Sequence, residues 1–309
     1  MSTARNKRDA AALLLVLWAI AVLSFAVLWV ADLVGIELES GSADAKRLAA
    51  RQIALSGVAL AMHPRVTRED IALLNQDLAD GSKLRVRIRG EGARFNINRL
   101  LADQDRVTLK NLFLLWGLNN DEADVLFDRL IDWVDDDAGR QLNGAERADY
   151  EAIGIVDAPA NRPFRSVDEM GRVMGMEVLA ERNPAWRDGF TVFGDGLIDV
   201  NEAEADVLQA ATGLTPEMVQ DILRLRRGGD EIEPSEDDVR FESIDQLGGW
   251  LQSSSLPPDR VAARLTTEST VKRIDSRATV DDCEIRISVV TASGGDGGRS
   301  TDYLLWEER

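Results

Sequence analysis

Ala10 to Ala31, AAALLLVLWAIAVLSFAVLWVA, runs for 22 residues without a charge between Asp9 and Asp32. A helix rises 1.5 Å per residue, so a run of this length reaches about 33 Å and covers a hydrocarbon core of roughly 30 Å. That length predicts a membrane anchor. A cleaved secretory signal has a shorter apolar core, about 7 to 15 residues, with a small-residue cleavage site just behind it. The one such motif here, Ala43-Asp44-Ala45, lies well past the run. Arg5, Lys7 and Arg8 precede the run. By the positive-inside rule they keep residues 1–10 cytoplasmic, make 11–31 the transmembrane helix and send 32–309 across the membrane. Trp29 falls near the far end, where an interfacial indole is expected.

Residues 32–309 are enough for one large domain or two ordinary ones. The net charge of −18 is unevenly placed. Between Phe95 and Leu265 there are 35 acidic and 17 basic residues, whereas the remainder has 19 of each. The acidity therefore belongs to one segment, which argues against a nucleic-acid partner there and for cations. Cys283 is the only cysteine and His63 the only histidine. An intrachain disulfide is impossible, and a catalytic triad built on histidine is not expected. No GxGxxG, Walker loop or nucleophile motif occurs, so the chain is not expected to be an enzyme.

Ala43 to Met62 carries Leu48, Ile53, Leu55, Val58 and Leu60 at helical spacing, and Pro64 marks the stop. One long helix from the membrane to about His63 is the expectation. Lys83 to Arg89, KLRVRIR, alternates as a half-buried strand, and matching strands appear only near the far end, at Val271 to Val280, Cys283 to Thr291 and Thr301 to Glu307. Ser293 to Gly298 reads as a hairpin tip, because no helix follows it. The simplest assembly is α+β. It has a long helix packed on an antiparallel sheet, 32–94 holding the outer helix and first strand, 266–309 the last strands, and 95–265 inserted between them.

The insert reads as helical and internally repeated. Phe164-Arg-Ser-Val-Asp-Glu-Met170 matches Phe241-Glu-Ser-Ile-Asp-Gln-Leu247, and Phe95-Asn-Ile-Asn98 matches Ile198-Asp-Val-Asn201. Ser166 with Glu169, Asn201 with Glu204 and Ser243 with Gln246 read as capping boxes, and Thr215-Pro216 as a cap with proline at the first helical position. Gly117-Leu118 and Gly213-Leu214 each precede an amphipathic helix, 121–134 and 217–227. Each copy thus looks like a helix-hairpin-helix unit, a module that holds DNA phosphates on backbone N–H groups. A membrane-anchored DNA receptor for competence is the rival reading. Asn119 and Thr215 stand where the tight hairpin wants a second glycine, and the segment is acidic where phosphate binding needs a basic surface.

The first copy carries extra residues, among them Asp135-Asp-Asp137-Ala-Gly139-Arg-Gln141-Leu-Asn143-Gly-Ala-Glu146. Counted as an EF-hand loop, oxygen-bearing side chains fall at the first, third, seventh, ninth and last positions, but glycine comes one position early. Asp132 and Asp149 flank it. Two readings stand: a calcium site or a solvated acidic loop.

The chain resembles general secretion pathway protein K, a minor pseudopilin family of bacterial type II secretion. The resemblance rests on Leu13 to Trp18, Arg94-Phe-Asn-Ile-Asn98, Asp132-Trp-Val-Asp135, Asn161-Arg-Pro-Phe164 with Ser166-Val-Asp-Glu169, and Ile198-Asp-Val-Asn201. It implies a pilin-like fold with a helical domain inserted in its sheet, sited in the inner membrane and projecting into the periplasm. It also implies a place at the tip of the pseudopilus and contacts with other minor pseudopilins, with prepilin peptidase and with the inner-membrane secretion platform. The family further implies methylation and two calcium ions in the helical domain, for which Asp132, Asp135, Asp137, Glu146 and Asp149 are the candidate ligands. Aligning on LLLVLW puts peptidase cleavage at Ala10-Ala11, where the family pattern has glycine before the cut. Leu15 stands where pilins in general carry glutamate, a lack typical of this family.

Overall fold

A computed structural model describes residues 43–230, 235, 237–293 and 301–309. The apolar run, the Ala10-Ala11 pair and the tip at 294–298 lie outside the described residues. Among the described residues, no helix is long and apolar enough to cross a membrane.

Helix α1, residues 43–61, lies on a five-stranded antiparallel sheet. Small residues make the close approach possible. Ala50, Ala54, Val58 and Ala61 are buried against the sheet, and a Cβ at Gly57 would sit 2.3 Å from Ser276 Oγ. Ser276 Oγ in turn donates to Ala54 O at 2.7 Å. Of the expected stripe, Val58 packs on the chain's own sheet, while Leu48 stays 58% exposed. His63 is exposed just past the helix end.

After the short helix α2 (Ile71–Leu74), strands β1 (Asn75–Asp77) and β2 (Lys83–Gly90) form one edge of the sheet. The chain then leaves and returns only at β7 (Val271–Val280), which pairs with β2 from Lys83↔Thr279 to Gly90↔Lys272. Strands β8 (Cys283–Ser293) and β9 (Thr301–Glu308) complete the order β1-β2-β7-β8-β9. Alternation of Leu84, Val86, Ile274, Ala278, Ile285, Ile287 and Val289 toward α1 builds this core. The strands expected from alternation are all present; β1, three residues long, carries no pattern to announce it.

The segment between β2 and β7 has its own core. Its order is β3 (Phe95–Asn96), α3 (Ile97–Ala102), α4 (Arg106–Leu115), α5 (Asn120–Val134), α6 (Arg147–Ala152), α7 (Val167–Met170), α8 (Met176–Arg182), β4 (Phe190–Thr191), β5 (Ile198–Asp199), α9 (Ala205–Thr212), α10 (Pro216–Arg226), α11 (Gly248–Leu251), α12 (Pro258–Ala262) and β6 (Leu265–Thr266). Two short parallel pairs, β3 with β4 and β5 with β6, each join the start of a helical run to its end. The same clamp recurs inside each run. Asn98 Nδ2 donates to Phe164 O and its Oδ1 accepts from Phe164 N, at 2.9 and 2.8 Å. Asn201 does the same with Phe241, at 3.0 and 2.8 Å, and adds a bond to Thr267 O. Asn201 is therefore no helix cap, as its spacing from Glu204 suggests; Glu204 itself occupies the N-cap of α9. Ser243 and Gln246 do form a capping box, and so do Asn119 and Glu122 at the start of α5. Ser166 accepts from Glu169 N, but the Glu169 carboxylate turns to Arg162 and Arg165 N.

Sheet and helical segment meet at Gly90 to Arg94. Glu202 accepts from Gly90 N at 2.6 Å and pairs with Arg68, and Glu91 pairs with Arg273 at 2.6 Å. Beside them Asp199 is fully buried; Oδ1 accepts from Asn201 N, and Oδ2 has no hydrogen-bond partner among the described residues. Burial above all, then the Glu202 carboxylate, pushes Asp199 up to about 6, against the Asn201 N–H and the more distant Arg240 and Arg68. A folded value above the unfolded one means that Asp199 favours folding below the unfolded value and loses that contribution as pH rises through about 6. Asp199→Asn keeps the acceptor and removes the charge. Unfolding in urea is expected to show the variant more stable than the parent at pH 8 by up to about 3 kcal/mol, with the gap closing near pH 4. Equal stability at pH 8 would refute this assignment.

Candidate metal centre

Helix α5 builds the site. The Asn119–Glu122 capping box fixes its start, and its buried face carries Ala123, Leu126, Phe127, Leu130, Ile131 and Trp133. Two acids, Asp128 and Asp132, share that buried surface one turn apart, exposed by only 3% and 0%. They do not wait for solvent; they organise the loop that follows. Asp132 accepts from Gln141 N at 3.1 Å, and Asp128 accepts from Asn143 N at 3.1 Å, from Asn143 Nδ2 and from Arg106. Gly144 passes so close that a Cβ there would meet Asp132 Oδ2 at 1.7 Å. Beneath the loop, Trp133 stacks on Phe164 and meets Tyr150 edge-on, with ring centroids 6.3 and 5.4 Å apart.

All five candidate ligands lie around this loop, each within electrostatic reach of Glu146 or Asp135. Burial, then Asp137, Asp132, Glu146 and Asp136, pushes Asp135 up to about 6. Burial, then Asp132, raises Glu146. Burial raises Asp132 as well, against N–H bonds from Gln141 and Ala145. Asp135 Oδ1 and Glu146 Oε1 are both buried without a hydrogen-bond partner among the described residues. Such atoms are costly unless something compensates them. Asp137 sits at the exposed rim, accepting from Gly139 N. The fifth candidate, Asp149, is otherwise engaged: it accepts from Glu146 N at 2.9 Å and pairs with Arg140 at 3.3 Å. At the ninth position of the EF-hand count the Asn143 amide N–H donates to Asp128, and at the seventh the Gln141 backbone N–H donates to Asp132. Among the described residues, no three Asp, Glu, His or Cys side chains already stand together as a metal cage.

Asp128 and Gly144 are the residues that motif reading missed. A signal existed: two carboxylates at i, i+4 on the apolar face of an amphipathic helix are out of place unless they hold something. The helix-hairpin-helix likeness carries no phosphate chemistry. The turn at Gly213 is covered, since a Cβ there would strike Ser255 and Leu256. The first turns of α5 and α10 are acidic, with Asp121, Glu122 and Glu217. Arg226, the last residue of α10, is buried and donates to Val200 O and Ala203 O.

Residues 93–181, which contain the whole acidic loop, match the family model for type II secretion system protein K. Type II secretion system protein K of Pseudomonas aeruginosa is 32% identical over 181 residues, which cover 55% of this chain and 52% of that protein. The aligned part thus spans about half the length of the curated relative. In three dimensions the chain matches a chain from the GspK-GspI-GspJ complex of enterotoxigenic Escherichia coli with a TM-score of 0.60. That match covers 88% of this chain and 98% of the other, at 17% identity, so it speaks for the fold. The sequence likeness to protein K thus covers part of the chain, and the likeness in fold covers most of it.

Proposed function

We propose that this chain is a minor pseudopilin of a type II secretion system, placed at the tip of the periplasmic pseudopilus and helping to start its assembly. The observation that carries the reading is the helical segment between β2 and β7, which holds the protein K match, set into a sheet backed by a long helix. In this reading the division is 1–10 leader, 11–31 anchor, 32–94 outer helix and first strands, 95–265 inserted domain and 266–309 closing strands. The insert is a duplication. The twin clamps Asn98–Phe164 and Asn201–Phe241 and the twin parallel pairs support that view. Prepilin peptidase would act at Ala10-Ala11, the bulk of the chain would face the periplasm, and the partners would be other minor pseudopilins and the inner-membrane platform. The role is structural rather than enzymatic. An insert of this bulk cannot repeat along a closely packed filament, so one copy per pseudopilus is expected. Deleting the chain from its host should stop export of the system's substrates, and the full chain should restore it. Quantitative immunoblotting should find it far below the major subunit. Normal export in the deletion strain, or equal copy numbers, would overturn the reading.

Calcium belongs to the same proposal, with Asp132, Asp135, Asp137 and Glu146 as its residues and Asp149 as the cap that holds Glu146 in place. Hard carboxylate oxygens suit calcium, and the two orphaned buried oxygens fit a cation. The ion would neutralise carboxylates that otherwise repel. At ten times its Kd it stabilises the folded chain by about 1.4 kcal/mol. The melting temperature is expected to rise with calcium over EGTA in the parent, and not in Asp135→Asn with Asp137→Asn. An equal rise in both would reject these ligands and leave a solvated acidic loop.

A further inference from the structure

Residues 43–94 and 266–309, which hold the sheet, carry 16 basic and 15 acidic residues, and strand register lines up several of the basic ones. Register places Arg85 opposite Arg277, Arg277 opposite Arg286, and Arg286 in mutual backbone hydrogen bonds with Arg309. Four arginines therefore stand in one row across β2, β7, β8 and the end of β9, on the face turned away from α1. Adjacent strands are about 4.8 Å apart, so the row is roughly 14 Å long. Like charges directly opposite each other on a sheet are destabilising. Their counterions are few: Glu284 serves both Arg277 and Arg286, at 3.4 and 3.8 Å, and Glu307 meets Arg309 at 3.4 Å. Arg85 is tied to Asp77 at 2.6 Å. In the next row Arg87 is exposed and has no ion-pair partner among the described residues. The guanidinium side chains at 277 and 286 remain 46% and 44% exposed.

We propose that this row is a docking face for an acidic surface of another subunit of the pseudopilus tip. The inference rests on the minor pseudopilin reading above. Within the chain three carboxylates, Asp77, Glu284 and Glu307, face four aligned arginines. A carboxylate-bearing partner gains paired, planar hydrogen-bond donors that match its geometry. A protein surface suits the face better than a lipid one. Glu284 and Glu307 beside the row would confront anionic headgroups, and the β9 aromatics stand on the other side, with Tyr303 reaching Met62 of α1 and Trp306 opposite the core residue Val289. The row is flat and polar, fit for a salt-sensitive contact that sets orientation and association rate.

The test uses the full chain in detergent with each of the other purified minor pseudopilins of the same system, titrated at low and at high salt. Parent chain is expected to bind more weakly as salt rises. Arg277→Glu with Arg286→Glu should weaken binding about tenfold or more at low salt and flatten the salt dependence. Arg277→Gln with Arg286→Gln relieves the repulsion within the row. It should melt at or above the parent temperature while still losing affinity, which a purely structural role would not do. Unchanged affinity and salt dependence in both variants would overturn the docking face. Unchanged subunit affinity together with loss of binding to phosphatidylglycerol nanodiscs would assign the face to lipid and overturn it too. Absence of any binding by the parent chain would count against the minor pseudopilin reading itself.

Discussion

Gly144→Ala is expected to lower the melting temperature by about 6 to 12 °C and to abolish any calcium response, while Gly248→Ala leaves both near the parent values. The added Cβ would sit 1.7 Å from Asp132 Oδ2. Asp132 has no room to swing away: it is fully buried and accepts from Gln141 N. Either the loop backs off or the carboxylate moves and strands that N–H. Overpacking costs about 1 to 3 kcal/mol, and a stranded buried donor about as much again. A loss of about 3 kcal/mol corresponds to the stated shift for a chain of this size. A Cβ at Gly248 meets nothing within 4 Å. Calorimetry on both variants with calcium and with EGTA decides the matter; similar melting of Gly144→Ala and parent would mean that the loop has slack at this point.

The second large effect separates the two clamps. Asn201→Ala is expected to destabilise by about 3 to 5 kcal/mol, and Asn98→Ala by roughly half that. Asn201 is completely buried and bonds three backbone groups, Phe241 N, Phe241 O and Thr267 O. Each stranded buried group costs about 1 to 3 kcal/mol. Asn98 bonds only the two groups of Phe164 and is half-buried, so water can replace part of what is lost. Asn201→Asp should fail nearly as badly, since a carboxylate cannot donate to the two carbonyls. Urea unfolding of the three variants provides the comparison. Equal losses at 98 and 201 would show that burial does not set the size of the effect.

Much of the architecture is legible in the sequence, because periodicity is a local property. Alternation in KLRVRIR and in the last three strands marked the sheet, and Thr215-Pro216 marked the start of α10. The distance between the first strand and its partners matches the long helical segment between β2 and β7. What the sequence could not show is where a polar side chain spends its hydrogen bonds. Asn201 reads as a cap by spacing, yet its partners lie 40 and 66 residues away, at Phe241 and Thr267. Asp149 reads as a ligand by position, yet closes a cap on Glu146. Asp128 and Gly144 carry no motif, yet they shape the loop. The arginine row is invisible along the chain, since its members come from four separate segments that only strand register aligns. Hydrophobic pattern is written locally and determined the elements. Polar partnership depends on which backbone groups are left unpaired after those elements pack, and only the tertiary structure decided that.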